Sequence, residues 1–372
     1  MTPPTTLSIA LLAAATLTGP AATEAARAWL AAADLERLPP EQFPLLPPAV
    51  SALEQAGPDH PWLPRLRGSH RRAWYANQLL LGAADRLTQT LAAAAIPVML
   101  ADAVPLALTV YADRLRPIGA VALVVPADRA EEASRVLAGQ GWQGAAPTTA
   151  APCGSVIWAT SRRFRSAGGQ LAYLHWRAAP FWPAEELDAA AWDRAQPITV
   201  AGRPVPALSP ADQLARSCRT ATLPGPAALI ALADVAVLLM ERAGREVNWP
   251  LVLDLAAQGH IKRSLLAALE CLEEGLGIAA PPDVLARLRS MPVSPFEACE
   301  GRMVVPGAGT AGRRHALRLT YAQYRRTAAS NGLALRPGDF LTFLQYRWGL
   351  ASRRAIPRWL ATRLTQVTRG GP

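Results

Sequence analysis

Residues 116–125 read Arg-Pro-Ile-Gly-Ala-Val-Ala-Leu-Val-Val. Their second half, 120–125, is a short apolar run of the kind that makes a buried strand. Upstream, Ile96–Ala101 (Ile-Pro-Val-Met-Leu-Ala) is another such run, opened by Pro97. Between the two, residues 103–111 carry Pro105 near the start of a predicted helix, where the missing N–H is tolerated. Downstream, Pro126 and the Ala/Glu/Arg-rich stretch 127–139 predict a further helix. The order strand, helix, strand, helix points to an α/β unit. A small hairpin is expected within 198–208, with Gly202 at its turn and its prolines marking an edge position.

The rest of the chain reads as helix. Leu7–Leu17 and Glu24–Ala33 predict two N-terminal helices, followed by a proline-rich link at 39–48. No Lys or Arg precedes Arg27, so the first run is not expected to be a secretory signal, and it is too short to span a bilayer. Leu80, Ala84, Leu87 and Leu91 recur at helical spacing and give an apolar stripe. Ser209-Pro210 and Asn248-Trp249-Pro250 read as helix starts, and 226–243, 249–258, 260–275 and 282–290 as helices.

In order and spacing these pieces resemble the uncharacterised bacterial nucleotidyltransferase-like family of the DNA polymerase β type superfamily. The family's Asn-x-x-Leu helix centre matches Asn77 to Leu80, and its Leu-Lys-Gly strand end falls on Leu100-Ala101-Asp102. Its Arg-Pro-x-x-Asp-x-Asp-Leu-Leu-Val falls on 116–125, and its third strand, which ends in a His-Trp pair, falls on 169–177 (Gly-Gln-Leu-Ala-Tyr-Leu-His-Trp-Arg) with His175-Trp176. Leu208–Leu214, Ala231–Asp234, Asn248-Trp249 and the helix from Ile261 are also similar, so most of 40–290 is covered. The resemblance implies an α/β (α+β) fold, a small mixed nucleotidyltransferase-like sheet flanked by helices with a large helical remainder. It divides the chain into N-terminal helices (1–60), an α/β domain (61–208), a helical domain (209–292) and a basic helical C-terminal region (293–372).

Two carboxylates at i and i+2 on a strand share a face, about 7 Å apart, and can hold divalent cations against a triphosphate. Here the implied metal positions are Ala120, Ala122 and Tyr173, and none is a carboxylate. At Asp102 the family's glycine, which lets backbone amides approach phosphate, is replaced by a repelling charge. The expectation is therefore no catalytic residue, no metal and no cofactor, and a binding or accessory protein built on the frame of an enzyme. The alternative is an active transferase using Mg2+ and NTP through relocated carboxylates, Asp102 and Asp113. Asp102, Asp113, Arg116 and His175 are the candidates for a residual pocket, although a structural, hydrogen-bonded role is the expected one for His175. Asp128, Glu131 and Glu132 read as helix-start residues favoured by the helix dipole.

With 51% hydrophobic and 18% charged residues the chain is expected to fold. Lys262 is the only lysine, and abundant Ala, Pro and Arg fit a GC-rich bacterial genome. Cys153, Cys218, Cys271 and Cys299 are widely spaced, which fits a reduced cytoplasmic protein without a zinc site or disulfide scaffold. Charge is concentrated at the end: residues 313–372 hold twelve Arg against Asp339, or +11 of a net +10, so the other 312 residues sum to −1. Arg353, Arg354, Arg358 and Arg363 beside Trp348, Ile356, Trp359 and Leu360 could meet an anionic membrane surface or contact an RNA or DNA backbone, the reading of the chain as a surface adaptor. A protein partner in a modification pathway is the other expectation, and a sequence-specific nucleic-acid role is not expected because no recognised nucleic-acid module is present.

Overall fold

The apolar runs around residues 116–125 form the middle of a seven-stranded mixed sheet. Its strands are β1 (Met99–Ala101), β2 (Val121–Val124), β3 (Gln143–Gly144), β4 (Ser161–Arg165), β5 (Leu171–His175), β6 (Gln196–Val200) and β7 (Arg203–Ala207), in the order β3-β4-β5-β2-β1-β7-β6. β2 pairs antiparallel with β1 and parallel with β5, while β1 meets β7 in parallel only at Leu100↔Ala207. In this computed structural model the described residues are 4–111, 114–144, 160–179, 181, 185–223, 225–240, 247–303, 312–330, 333–348, 350 and 352–368.

Helices α1 (Thr6–Thr16), α2 (Gly19–Ala32), α3 (Leu46–Ala56) and α4 (Leu63–Ala93) precede the sheet. The 39–48 segment is not a plain link: Phe43–Leu45 is a 3-10 turn, and Pro47 and Pro48 sit in the first turn of α3, where fixed φ and an absent N–H do no harm. Along α4, Leu80, Ala84, Leu87 and Leu91 are all buried, as their spacing predicts. They pack with α6 (Ala130–Gly139) on one face of the sheet, against Leu100, Val121, Leu123, Ala172 and Leu174. The short α5 (Ala103–Thr109) follows β1 as expected.

The β6–β7 hairpin turns on Ala201 (φ 48°) and Gly202 (φ 80°), two successive left-handed residues as a type I′ turn requires. β6 is the edge strand, but β7, which carries Pro204 and Pro206, lies one place in. The prolines are accommodated because β7 touches β1 only at its last residue, so their missing N–H groups fall outside that ladder.

After α7 (Glu185–Asp193), a helical layer comprises α8 (Pro210–Ala221), α9 (Ala228–Leu239), α10 (Trp249–Gln258), α11 (Lys262–Leu276) and α12 (Pro282–Ser290). Ser209 caps α8 through the Asp212 N–H, and Asn248 caps α10 through the Leu251 N–H. This layer shares one core with α1–α3: Leu11, Trp29 and Leu53 belong to the same cluster as Leu214, Val235 and Leu269. The C-terminal region is folded into α13 (Pro295–Met303), α14 (Gly312–Ser330), α15 (Pro337–Arg347) and α16 (Ala355–Thr368). Tyr324, Ala328 and Phe343 form one small core there, and Leu344, Leu350 and Ile356 another.

Candidate functional site

The strand register places three of the residues that the sequence singles out. Ala101, Ala122, Tyr173 and Arg163 lie side by side across β1, β2, β5 and β4. Ala122 is 4% exposed, in an apolar cluster with Met99, Ala101, Val124, Ala178, Ala191 and Leu208, and Trp192 of α7 packs on it. The face of β2 that would carry the second carboxylate is thus covered by side chains. Ala120 precedes the strand and is half-buried. Neither alanine reaches the cavity described next.

That cavity, ≈ 590 Å³, lies beside the sheet and between α8, α9 and the C-terminal helices, and Asp102, Arg116 and His175 all line it. Asp113 lies outside the described residues. Each of the three has a partner or setting that fixes it. Asp102 has φ 58° and ψ −124°, a conformation suited to glycine, at the position where the resemblance implies a glycine. Its N–H donates to Gln213 Oε1 (3.1 Å), and both its carboxylate oxygens accept from Arg216, Nε to Oδ1 and Nη2 to Oδ2, each at 2.8 Å. Burial raises the carboxyl pKa, but the Arg216 charge and hydrogen bonds outweigh it, with lesser help from His175 and Arg116, and leave it at about 2.

Arg116 is not free to receive a substrate. Its guanidinium is bidentate to Asp234 (3.0 and 2.6 Å) and also donates to the Pro117 carbonyl, while the Tyr111 hydroxyl donates to Asp234 Oδ1 (3.0 Å). The backbone that presents Arg116 is clamped by buried Asn77 of α4, which donates to the Arg116 carbonyl (2.8 Å) and accepts from the Ile118 N–H (2.7 Å). His175 differs from the expected hydrogen-bonded histidine: its Nδ1 is buried with no partner among the described residues. Burial, aided by the Arg216 charge and opposed by Asp102, lowers its pKa to about 4, so the ring is neutral at pH 7.

Sequence reasoning missed the other charged groups of the cavity: Asp234, Arg216, Arg219, Glu300 and Arg326. Asp234 had a signal, being the one carboxylate in the apolar helix Ala-Leu-Ile-Ala-Leu-Ala-Asp-Val-Ala-Val-Leu-Leu. Glu300 and Arg326 had none, because only tertiary folding brings α13 and α14 to the α8 wall. Glu300 Oε2 is shared by Arg219 (3.0 Å) and Arg326 (3.1 Å). Arg326 also donates to the backbone carbonyls of Phe181, Gly259 and His260 at 2.9–3.0 Å, which pins the C-terminal region to the body.

A divalent cation does not fit this donor set. The row Ala101, Ala122, Tyr173 offers no carboxylate, the Asp102 oxygens are both bound by arginine, and Asp234 is held by Arg116 and Tyr111. No group of three His, Cys, Asp or Glu with metal-holding geometry occurs among the described residues.

Residues 42–277, well over half of the chain, match the model of a family described as an uncharacterised nucleotidyltransferase. The chain belongs to that family. A solved structure, of an antigenic nucleotidyltransferase-like protein from Paracoccidioides brasiliensis, is similar at 18% identity over 57% of this chain and 92% of that one, with a TM-score of 0.35. No curated protein matches the sequence. In this member of the uncharacterised nucleotidyltransferase family, the cavity residues Glu300, Gln323, Arg326, Thr327 and Phe343 lie beyond the matched segment. Among the described residues no helix is long and apolar enough to cross a membrane.

Proposed function

We propose that this chain is a catalytically degenerate member of its family that acts as a binding or accessory protein. The observation that carries the reading is Ala122 beside Tyr173 across β2 and β5, with Ala120 two residues ahead: two alanine methyls and a phenol stand at the three implied ligand positions, and apolar packing covers Ala122. Phosphoryl and nucleotidyl transfer rely on cations to neutralise charge and align the reacting groups, so a site without ligands forfeits most of the catalysis. The alternative of relocated carboxylates is weakened by Arg216, which occupies both oxygens of Asp102. A cytoplasmic setting beside a partner enzyme of a modification pathway goes with this reading.

Titration of the purified protein with ATP, GTP, CTP and UTP, with and without Mg2+ or Mn2+, tests it. Metal-dependent nucleotide binding followed by label transfer to any acceptor would sink it. Restoring both carboxylates, Ala120→Asp with Ala122→Asp, is expected to give no gain in metal affinity because Ala122 is already covered.

A second reading is favoured by one observation. Arg353, Arg354 and Arg358 are exposed on and just ahead of α16, while Trp348 and Trp359 stack at 4.1 Å. An anionic membrane surface would be met there electrostatically. Salt-sensitive retention on anionic liposomes that survives deletion of 313–372 would refute it.

A further inference from the structure

The charges that line the cavity do not balance. Among the described residues four guanidinium groups, Arg116, Arg216, Arg219 and Arg326, face three carboxylates, Asp102, Asp234 and Glu300, and His175 is neutral at pH 7. One positive charge is left over in a partly enclosed space, where it is worth more than at the surface.

The four arginines are unequally committed. Arg116 and Arg216 each hold a carboxylate with two nitrogens and a backbone carbonyl with the third. Arg326 spends its two terminal nitrogens on three carbonyls and Glu300. Among the described residues Arg219 has an ion pair with Glu300 and a 3.3 Å hydrogen bond to Ser264 Oγ. Its side chain is 16% exposed, against 9, 7 and 5% for Arg116, Arg216 and Arg326. With five N–H donors in its fork, Arg219 retains the capacity to take an oxyanion.

Beside it, Glu300 is 6% exposed and its Oε1 has no partner among the described residues, although both arginines share Oε2. A buried carboxylate oxygen without a donor is costly, and a ligand hydroxyl or amino group would satisfy it. Apolar walls from Leu106, Phe181, Leu223, Ile230 and Phe343 leave room for a hydrophobic body. The volume lies in the range of small-molecule sites, roughly 300–1,000 Å³.

We propose that the cavity binds, without a metal ion, an amphipathic carboxylate monoanion bearing a hydroxyl or amino group, with the carboxylate on Arg219 and the donor on Glu300. One surplus charge favours a carboxylate over a doubly charged phosphate ester. Glu300 and Phe343 come from beyond residues 42–277 while Arg219 lies within them, so the donor side of ligand choice belongs to the C-terminal region and the carboxylate side to the matched family segment. The proposal rests on the reading of the protein as a binding member of its family.

Calorimetric titration of the full-length protein in EDTA with 4-hydroxyphenylacetate, phenylacetate and phenyl phosphate tests it. Saturable binding of 4-hydroxyphenylacetate is expected, weakened on the order of tenfold for phenylacetate, which lacks the donor. Arg219→Met is expected to abolish binding of both carboxylates, whereas Glu300→Met, which removes the acceptor, should bring the two toward equal affinity. The comparison of the two carboxylates on the unaltered protein stands even if a variant fails to fold. No saturable binding of either carboxylate, equal affinity for both, tighter binding of phenyl phosphate, or a requirement for Mg2+ would each overturn the assignment. Metal-dependent nucleotide transfer would instead sink the accessory reading, while absent binding together with absent transfer would sink the carboxylate site alone.

Discussion

Asp102 holds a backbone conformation that a side chain disfavours, at a cost of about 1–3 kcal/mol, and is kept there by Gln213 and Arg216. Two substitutions separate strain from pairing. Asp102→Ala loses the ion pair and keeps the strain, while Asp102→Gly loses the pair and relieves it, so the glycine variant should be the more stable by about 1 kcal/mol in urea unfolding. Equal stability would mean that the conformation costs nothing. Ala122 makes the opposite point, since a carboxylate introduced there meets Met99, Val124, Ala191 and Leu208. Ala122→Asp should destabilise by about 3 kcal/mol, and half-buried Ala120→Asp by less than about 1 kcal/mol, as measured by the same unfolding. His175 sets a pH dependence. Its pKa falls from 6.5 to about 4 on folding, so the unfolded chain binds the proton more tightly. The stabilising contribution is full above pH 6.5 and is lost as the pH falls toward 4. His175→Gln should flatten the thermal stability profile in that window, which Asp102 does not touch because its own window lies lower, between 3.8 and about 2.

At the scale of elements, α4 both covers the sheet and positions the segment entering β2. Its apolar stripe packs on the sheet, and Asn77 supplies the two hydrogen bonds that hold Arg116 and Ile118. Asn77→Ala would leave a buried N–H and a buried C=O unpaired, and should cost about 2–4 kcal/mol while loosening the Arg116–Asp234 contact. Hydrogen exchange at the Ile118 amide would reveal it; unchanged protection would contradict the clamp. Strands β1, β2 and β5, the β6–β7 hairpin and the helix caps were legible because each rests on local chemistry, such as Ser209 and Asn248 before proline-started helices and Gly202 at a tight turn. By contrast, β3 and the arginine-rich β4 carry no apolar run and were not read. The place of β7 was not legible, because whether a proline strand lies at an edge depends on how far its neighbour reaches along it.

Across the whole molecule, the basic C-terminal region is joined to the body through buried Arg326 rather than left as a solvated tail. Phe181, whose carbonyl Arg326 holds, packs its ring over Gly259, where an added Cβ would lie 2.6 Å from that ring. Arg326→Met should therefore free α14–α16 from the body, seen as faster limited proteolysis after residue 303 with the α4-covered sheet core still protected; unchanged cleavage would show that other contacts suffice. The sequence by itself determined the central strands, their flanking helices and the absence of carboxylates at 120, 122 and 173, since hydrophobic period, capping residues and residue identity are properties of short stretches. It also named Asp102, Asp113, Arg116 and His175 as pocket candidates, of which Asp102, Arg116 and His175 line one cavity and Asp113 lies outside the described residues. Only the tertiary structure decided that Arg116 is spent on Asp234, Asp102 on Arg216, and that Glu300 and Arg326 close the far wall. Those pairings join residues more than a hundred positions apart, or helices beyond the matched family segment, and no local pattern in the chain encodes which arginine meets which carboxylate.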